Sequence, residues 1–232
     1  MSEEKTIQER KVVIPGETLA TGMEYLPGHG THRVNEEIRA SWLGLSEYNG
    51  SVIKVIPLKG AYIPREGDRV IGVIADVSYS SWDVNVFGPA NAMLGIGDAS
   101  RSYIELGEDL TRYYDIGDYI YAEVSKVSKS MFIKINMKDK MFRKLNTGLT
   151  VKISPVKVPR IIGKKGSMVN LLKEETGCTF IVGQNGIVWI KGETRQQELL
   201  ALKAIKYVEN NAHMSGLTDT MKEKIKEWKQ NE

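Results

Sequence analysis

The run Val158-Pro159-Arg160-Ile161-Ile162-Gly163-Lys164-Lys165-Gly166-Ser167-Met168-Val169 constrains this chain more than any other. A proline-bounded segment that reads as extended meets two glycines three apart, and an amphipathic run starts directly after them. Glycine has no Cβ, so a backbone carrying two of them at that spacing can come close to a ligand. From Ser167 onward the pattern is that of a helix start, whose free N–H groups and positive dipole end favour a phosphate. Lys164 and Lys165 put two charges at the same point. Ordinary turns also produce G-x-x-G, so the pattern gains its meaning from the rest of the chain.

The charge distribution supplies part of that meaning. The net charge of +3 conceals a strong asymmetry. Residues 1–66 hold 8 Lys/Arg against 9 Asp/Glu, residues 67–137 hold 6 against 10, and residues 138–232 hold 18 against 10. Between Lys138 and Lys173 there are ten basic residues and one acid, Asp139. Basic residues gathered on one segment are the electrostatic footprint of a nucleic-acid binder, whereas a merely solvated face mixes its signs. Cys178 is the only cysteine, which excludes an internal disulfide and a multi-cysteine zinc site. No apolar run approaches a bilayer span, and Met1-Ser2-Glu3-Glu4-Lys5 lacks the apolar core of a signal peptide. A reducing, cytoplasmic setting without membrane contact is expected.

With 232 residues the chain has room for two or three small domains. Residues 1–62 read as a small β domain. Lys11-Val12-Val13-Ile14 is stopped by Pro15-Gly16, Leu26 to His32 reads as a turn or loop, and Ile38 to Gly44 and Ser51 to Leu58 read as strands. His29 and His32 have a metal-ligand spacing but no carboxylate or cysteine cluster beside them, which favours a loop role. Residues 63–140 carry five short strands: Asp68 to Val77, Trp82 to Val86, Ala90 to Leu94, Tyr119 to Ser125 and Met131 to Ile135. A Gly/Asp/Ser-rich excursion lies between the third and the fourth. Five such strands fit a small closed barrel of the OB type. Trp82 shares the parity of Val84 and Val86 and is expected in the core, with Asp83 and Asn85 outward.

Residues 141–214 change to an α+β pattern. A strand from Thr150 to Val158 leads to the G-x-x-G, and a helix from Met168 is closed by Gly177. Two strands, Cys178 to Val182 and Ile187 to Ile190, flank Gly183-Gln184-Asn185-Gly186, whose Asn-Gly is a strong hairpin signal. A long helix from Thr194 to Asn210 carries apolar Leu199, Leu202, Ile205, Tyr207 and Val208. Residues 215–232 read as a charged helical tail, starting near Thr220 with Glu223 at capping-box spacing.

The strand, Ile161-Ile162-Gly163-Lys164-Lys165-Gly166 and the helix that follows resemble a type I KH domain, whose loop clamps the backbone of about four nucleotides. Residues 66–137 resemble an S1-motif barrel. The fold class is therefore multi-domain, mainly β plus α+β, in the order N-terminal β domain, S1-type OB barrel, KH domain and trailing helix. That order, with Gly183 to Gly186 in the KH hairpin and Val13-Ile14-Pro15-Gly16-Glu17 near the start, resembles the RNA-binding cap subunits of the archaeal exosome (the ribosomal RNA-processing protein 4 family) over residues 10–214.

The resemblance implies a non-catalytic partner of single-stranded RNA. Such subunits sit in three copies on a ring of RNase PH-like subunits, touch it through the N-terminal domain and part of the barrel, and pass RNA 3′ ends inward. No catalytic residue, metal or cofactor is expected, and Asp109, Asp115 and Asp118 read as surface charge. The expected RNA contacts are Arg160, Ile162, Gly163, Lys164, Lys165, Gly166 and Ser167 around the loop. Arg65, Arg69, Arg101 and Arg112 join them from the barrel, because its outward Asp83 and Asn85 offer no stacking platform. Each of these arginines is equally compatible with a solvated or ring-facing role. A transcription or translation factor joining S1 and KH modules is the alternative, although elongation proteins of that kind carry two KH domains where this chain has one.

Overall fold

A computed structural model of the chain describes residues 11–101, 103–105, 107–212, 214 and 216–230, the last of these by its backbone only. The chain divides after Gly60 into two compact units.

The first unit is all β among the described residues, with two small antiparallel-dominated sheets. Strands β1 (Val12–Val13), β2 (Thr18–Thr21), β3 (Leu26–Pro27), β4 (Thr31–Val34), β5 (Glu37–Ala40), β6 (Gly44–Asn49) and β7 (Val52–Pro57) form the orders β1-β6-β7-β3 and β2-β5-β4. Val13, Ile38, Ala40, Ile53 and Val55 supply its buried apolar side chains. Two expectations change here. The segment from Leu26 to His32 contributes to two strands, and the stretch Ile38 to Gly44 is split between β5 and β6. Both departures are tertiary: Leu26 and Pro27 pair in parallel with Val52 and Ile53, a partner that no local pattern announces. His29 packs edge-on against Trp42 with centroids 4.6 Å apart, and His32 Nδ1 lies 2.9 Å from Ser41 Oγ.

The second unit opens with the barrel: β8 (Arg69–Val77), β9 (Ser81–Asn85), β10 (Ala92–Gly95), the single turn α1 (Ile96–Ala99), β11 (Tyr119–Val127) and β12 (Ile133–Asn136). Antiparallel pairs β8–β9, β9–β10, β11–β12 and β8–β11, with the parallel pair β10–β12, close the sheet on itself. This is a five-stranded OB-like barrel, and β13 (Arg143–Leu145) adds to the outside of β11. Trp82 is fully buried, as its parity with Val84 and Val86 requires, and its indole N–H donates to the Tyr114 carbonyl at 2.9 Å. The excursion between β10 and β11 is no free loop, for Ala99, Ile104 and Leu110 are buried in the barrel core.

The rest of the unit is a helix-covered, three-stranded antiparallel sheet. Its elements are β14 (Leu149–Lys152), α2 (Val158–Ile162), α3 (Ser167–Thr176), β15 (Thr179–Val182), β16 (Ile187–Lys191), α4 (Arg195–Asn210) and α5 (Leu217–Gln230), with sheet order β14-β16-β15. The segment before the glycines corrects the extended reading. The strand ends at Lys152, a 3-10 turn covers Pro155–Lys157, and Val158 to Ile162 is helical. Pro159 lies in the first helical turn, where its missing N–H leaves no hydrogen bond unmade. In α4 the capping box uses Thr194 and Gln197, and the buried stripe is Leu200, Ala201, Ala204, Ile205 and Val208. Leu199 stands off that stripe at 47% exposure.

Helix α5 starts three residues before the expected Thr220 and belongs to the core. Leu217, Met221 and Ile225, spaced four apart, are buried in the same cluster as the α2, α3 and α4 side chains. Trp228 packs edge-on against Tyr207 at 5.8 Å, with the Lys203 ammonium 4.5 Å from its ring. Truncating a fully buried Ile costs about 2–5 kcal/mol. Ile225→Ala is therefore expected to lower the melting temperature by roughly 5–15 °C in calorimetry, and an unchanged melt would show that α5 adds nothing to the core.

Candidate nucleic-acid interface

The G-x-x-G loop joins α2 to α3 and forms the N-terminal end of α3. Gly163 (φ 75°, ψ 171°) and Gly166 (φ 81°, ψ 11°) both occupy positive-φ conformations. A Cβ on Gly163 would also fall 2.7 Å from the Met168 nitrogen and 2.9 Å from Ser167 Oγ, so only glycine fits there. Lys165 itself sits in the left-handed region (φ 54°, ψ 29°), and both lysines are exposed. Gly166 caps α3 without a side-chain hydrogen bond, and no acid lies in the first turn. Within the turn the Gly166 N–H donates to the Gly163 carbonyl at 3.2 Å and the Ser167 N–H to the Lys164 carbonyl, so attraction for an anion comes from the dipole end of α3 and the two lysines rather than from these amides. Ser167 is exposed beside them, and Ile162 is half-buried against the helical core.

Arg160 is placed differently from its loop neighbours. Its Nε donates to the Ala212 carbonyl at 2.8 Å, and its guanidinium also donates to the Met214 carbonyl. It ties the end of α4 and the link to α5 back to α2, so its charge stands near the loop while its donors serve the fold.

The barrel arginines do not form one cluster. Arg65 lies in the turn closed by Asp68, whose carboxylate accepts from the Arg65 backbone N–H at 3.0 Å and from the Tyr62 hydroxyl at 2.8 Å. Burial, with that carboxylate, raises the Tyr62 phenol above its ordinary value. Arg101 donates to the Lys138 carbonyl at 2.8 Å, and Arg112 stands 3.8 Å from Asp109 and largely in solvent. Near Arg101, Asp98 contacts Lys134 and Lys138. The hydrogen bond from Lys134, with the charges of both lysines, holds its carboxyl below the usual carboxylate range.

Arg69 alone reaches the junction with the helical half. The hairpin Gly183 to Gly186 docks on β8: Gln184 Oε1 accepts from the Arg69 N–H at 2.7 Å, and the Gln184 N–H donates to the Arg69 carbonyl at 2.8 Å. Asn185, 2% exposed, makes three side-chain bonds. Its oxygen accepts from the Ile71 N–H at 3.3 Å, and its amide donates to the carbonyls of Ile71 at 2.7 Å and Val86 at 2.8 Å. Ile71, Leu145, Ile187 and Trp189 form a shared apolar core behind this clasp, with Tyr119, Tyr121 and Ile181 against it. The hairpin was legible in the sequence as a turn; its role as a clasp was not.

Among the described residues no cluster of three or more His, Cys, Asp or Glu side chains is placed to hold a metal, and no helix is long and apolar enough to cross a membrane. An open hollow of about 460 Å³ lies at the opposite end of α3 from the loop. Glu174 and Glu175 on its rim would repel a phosphodiester.

Residues 12–48 match the family model described as the Exosome complex exonuclease RRP4 N-terminal region, and residues 148–196 match that of the KH domain. The chain is 44% identical over 220 residues to the exosome complex component Rrp4 of Thermococcus kodakarensis, covering 94% of this chain and 85% of that protein. The chain belongs to the Rrp4 family. Rrp4 of Methanothermus fervidus is 38% identical, with 94% of this chain and 96% of the relative covered. A crystal structure described as that of an exosome complex RNA-binding protein superposes with a TM-score of 0.67 at 33% identity, covering 74% of this chain and 98% of that one. The Rrp4 family likeness thus spans both units, including the barrel that lies between the two matched segments.

Proposed function

We propose that this Rrp4 family chain is a non-catalytic RNA-binding cap subunit of an exosome, a 3′-to-5′ exoribonuclease complex of the cytoplasm. It captures single-stranded RNA and guides its 3′ end into the pore of a ring of RNase PH-like subunits, three copies making the cap. The observation that carries the reading is the loop Gly163 to Gly166, with two positive-φ glycines and two exposed lysines together at the N-terminal end of α3. Lys164 and Lys165 are assigned the phosphate contacts, with Gly163, Gly166 and Ser167 giving the backbone close access. Arg65, Arg69, Arg101 and Arg112 are assigned secondary contacts along the barrel.

Exposed apolar side chains on the first unit, Ile14 at 61%, Met23 at 71% and Leu26 at 52%, offer apolar area that a protein partner there would cover. Native mass measurement of the chain mixed with RNase PH-like ring subunits tests the assembly. Three copies are expected to join each ring, and the chain alone is expected to leave bound RNA at full length. A chain that stays apart from the ring and copurifies with RNA polymerase would favour the transcription-factor alternative. RNA shortened by the isolated chain would overturn the non-catalytic assignment.

A further inference from the structure

The clasp between hairpin and barrel fixes the outer strip of the barrel to the helical half that carries the loop. Helix α3, which starts at the G-x-x-G, packs beside β15, and β15 is an edge strand of its sheet. Ile181 of β15 packs into the shared core with Tyr121 of β11. Strand register continues outward from there: Ile71 lies opposite Tyr121, and Tyr121 lies opposite Arg143 of β13. Leu145, two residues on and on the same face, is buried in that core, whereas Arg143 is exposed. Among the described residues no hydrogen bond or ion pair engages the Arg143 guanidinium. Arg69, at the hairpin, lies on the same outer face of the barrel as Ile71. Its charge and hydrogen bond partly offset the burial that raises the Tyr121 phenol. Glu123, paired with Arg69 in the ladder, is the acid on this strip, and the two arginines outweigh it.

We propose that Arg143, with Arg69, continues the phosphate track from the KH loop past the edge of β15 onto the outer strip of the barrel. The ligand is single-stranded RNA longer than the roughly four nucleotides that a KH loop clamps, gripped through its backbone without base preference. The rigid clasp matters to this reading, because two phosphate sites held at a fixed spacing bind one strand as a single site, without a linker's entropy. The inference rests on the RNA-binding assignment of the loop.

Its test compares a four-nucleotide and a twelve-nucleotide oligouridylate by fluorescence anisotropy over a salt series. Arg143→Glu is expected to weaken the twelve-mer about five- to tenfold at roughly 50 mM salt and to lower its salt slope by about 0.7, the value of one single-strand phosphate contact. Binding of the four-mer is expected to be unchanged. Arg143 is exposed on a short edge strand, and a melt matching the parent's shows the variant folded; Arg143→Gln, with a smaller effect in the same direction, serves if it is not. Equal twelve-mer affinity and slope in variant and parent would overturn the track while leaving the loop assignment intact. Failure of the parent to bind either RNA would overturn both.

Discussion

Asn185→Asp is expected to cost the chain several kcal/mol of stability, on the order of 3–5 kcal/mol for the buried charge. The Asn185 amide donates to two backbone carbonyls, of Ile71 and Val86, in a site closed to water. A carboxylate there has no hydrogen to donate and would set its charge against both carbonyl oxygens. Leaving buried polar groups unpaired costs about 1–3 kcal/mol each, and an uncompensated buried charge about 3–5 kcal/mol. For a unit of this size that corresponds to a melting temperature lower by roughly 10 °C. Gln184→Ala removes only the side-chain bond to the Arg69 N–H and keeps the backbone bond, so about 1 kcal/mol is expected. Calorimetry separates the cases further. Without the Asn185 bonds, the barrel and the helical half keep the two Gln184–Arg69 bonds, the Lys152 ammonium over the Phe87 ring and their apolar contact, and Asn185→Asp is expected to weaken the coupling enough to split one cooperative transition into two. A variant that melts with the parent, in one transition, would show that the clasp does not hold the halves together.

This clasp also marks the boundary of what the sequence could reveal. The Asn-Gly turn follows from local backbone preference, and the barrel strands follow from alternation and from the parity of Trp82, Val84 and Val86. The partners of Asn185 lie 114 and 99 residues away, and no local pattern encodes them. The same limit explains α2. A proline before two isoleucines suggests extension, but the buried Val158 and Ile161 fit a helical turn once α3 and α4 provide the surface to bury them against. Helix α5 was legible by charge and period, while its place in the core was not, because Leu217, Met221 and Ile225 have no visible partner until the sheet and helices are assembled. The loop was legible as a turn, since the positive φ of Gly163 and Gly166 is what two glycines at that spacing permit. Arg160 has long-range partners that its local sequence does not announce. Its guanidinium donates to the carbonyls of Ala212 and Met214 in the link between α4 and α5.

The second large effect is expected at Lys164 and Lys165. Each ammonium that neutralises a phosphate of a single strand contributes about 0.7 to the slope of log affinity against log salt. Two such contacts are worth on the order of a fiftyfold change in affinity at about 50 mM salt. Lys164→Asp with Lys165→Asp removes both and adds repulsion at the helix end. Neither residue is buried, so the fold and any assembly are expected to survive. The positive φ of Lys165 is tolerated by aspartate better than by most residues.

Equilibrium binding of single-stranded RNA to the intact chain and to this double variant, followed over a salt series, tests the capture role most directly. The expected result is a parent whose affinity falls steeply with salt, and a variant bound on the order of fiftyfold more weakly with a slope smaller by about 1.4. A variant that binds RNA as tightly as the parent, with the same slope, would contradict the assignment of the Gly163 to Gly166 loop as the RNA grip.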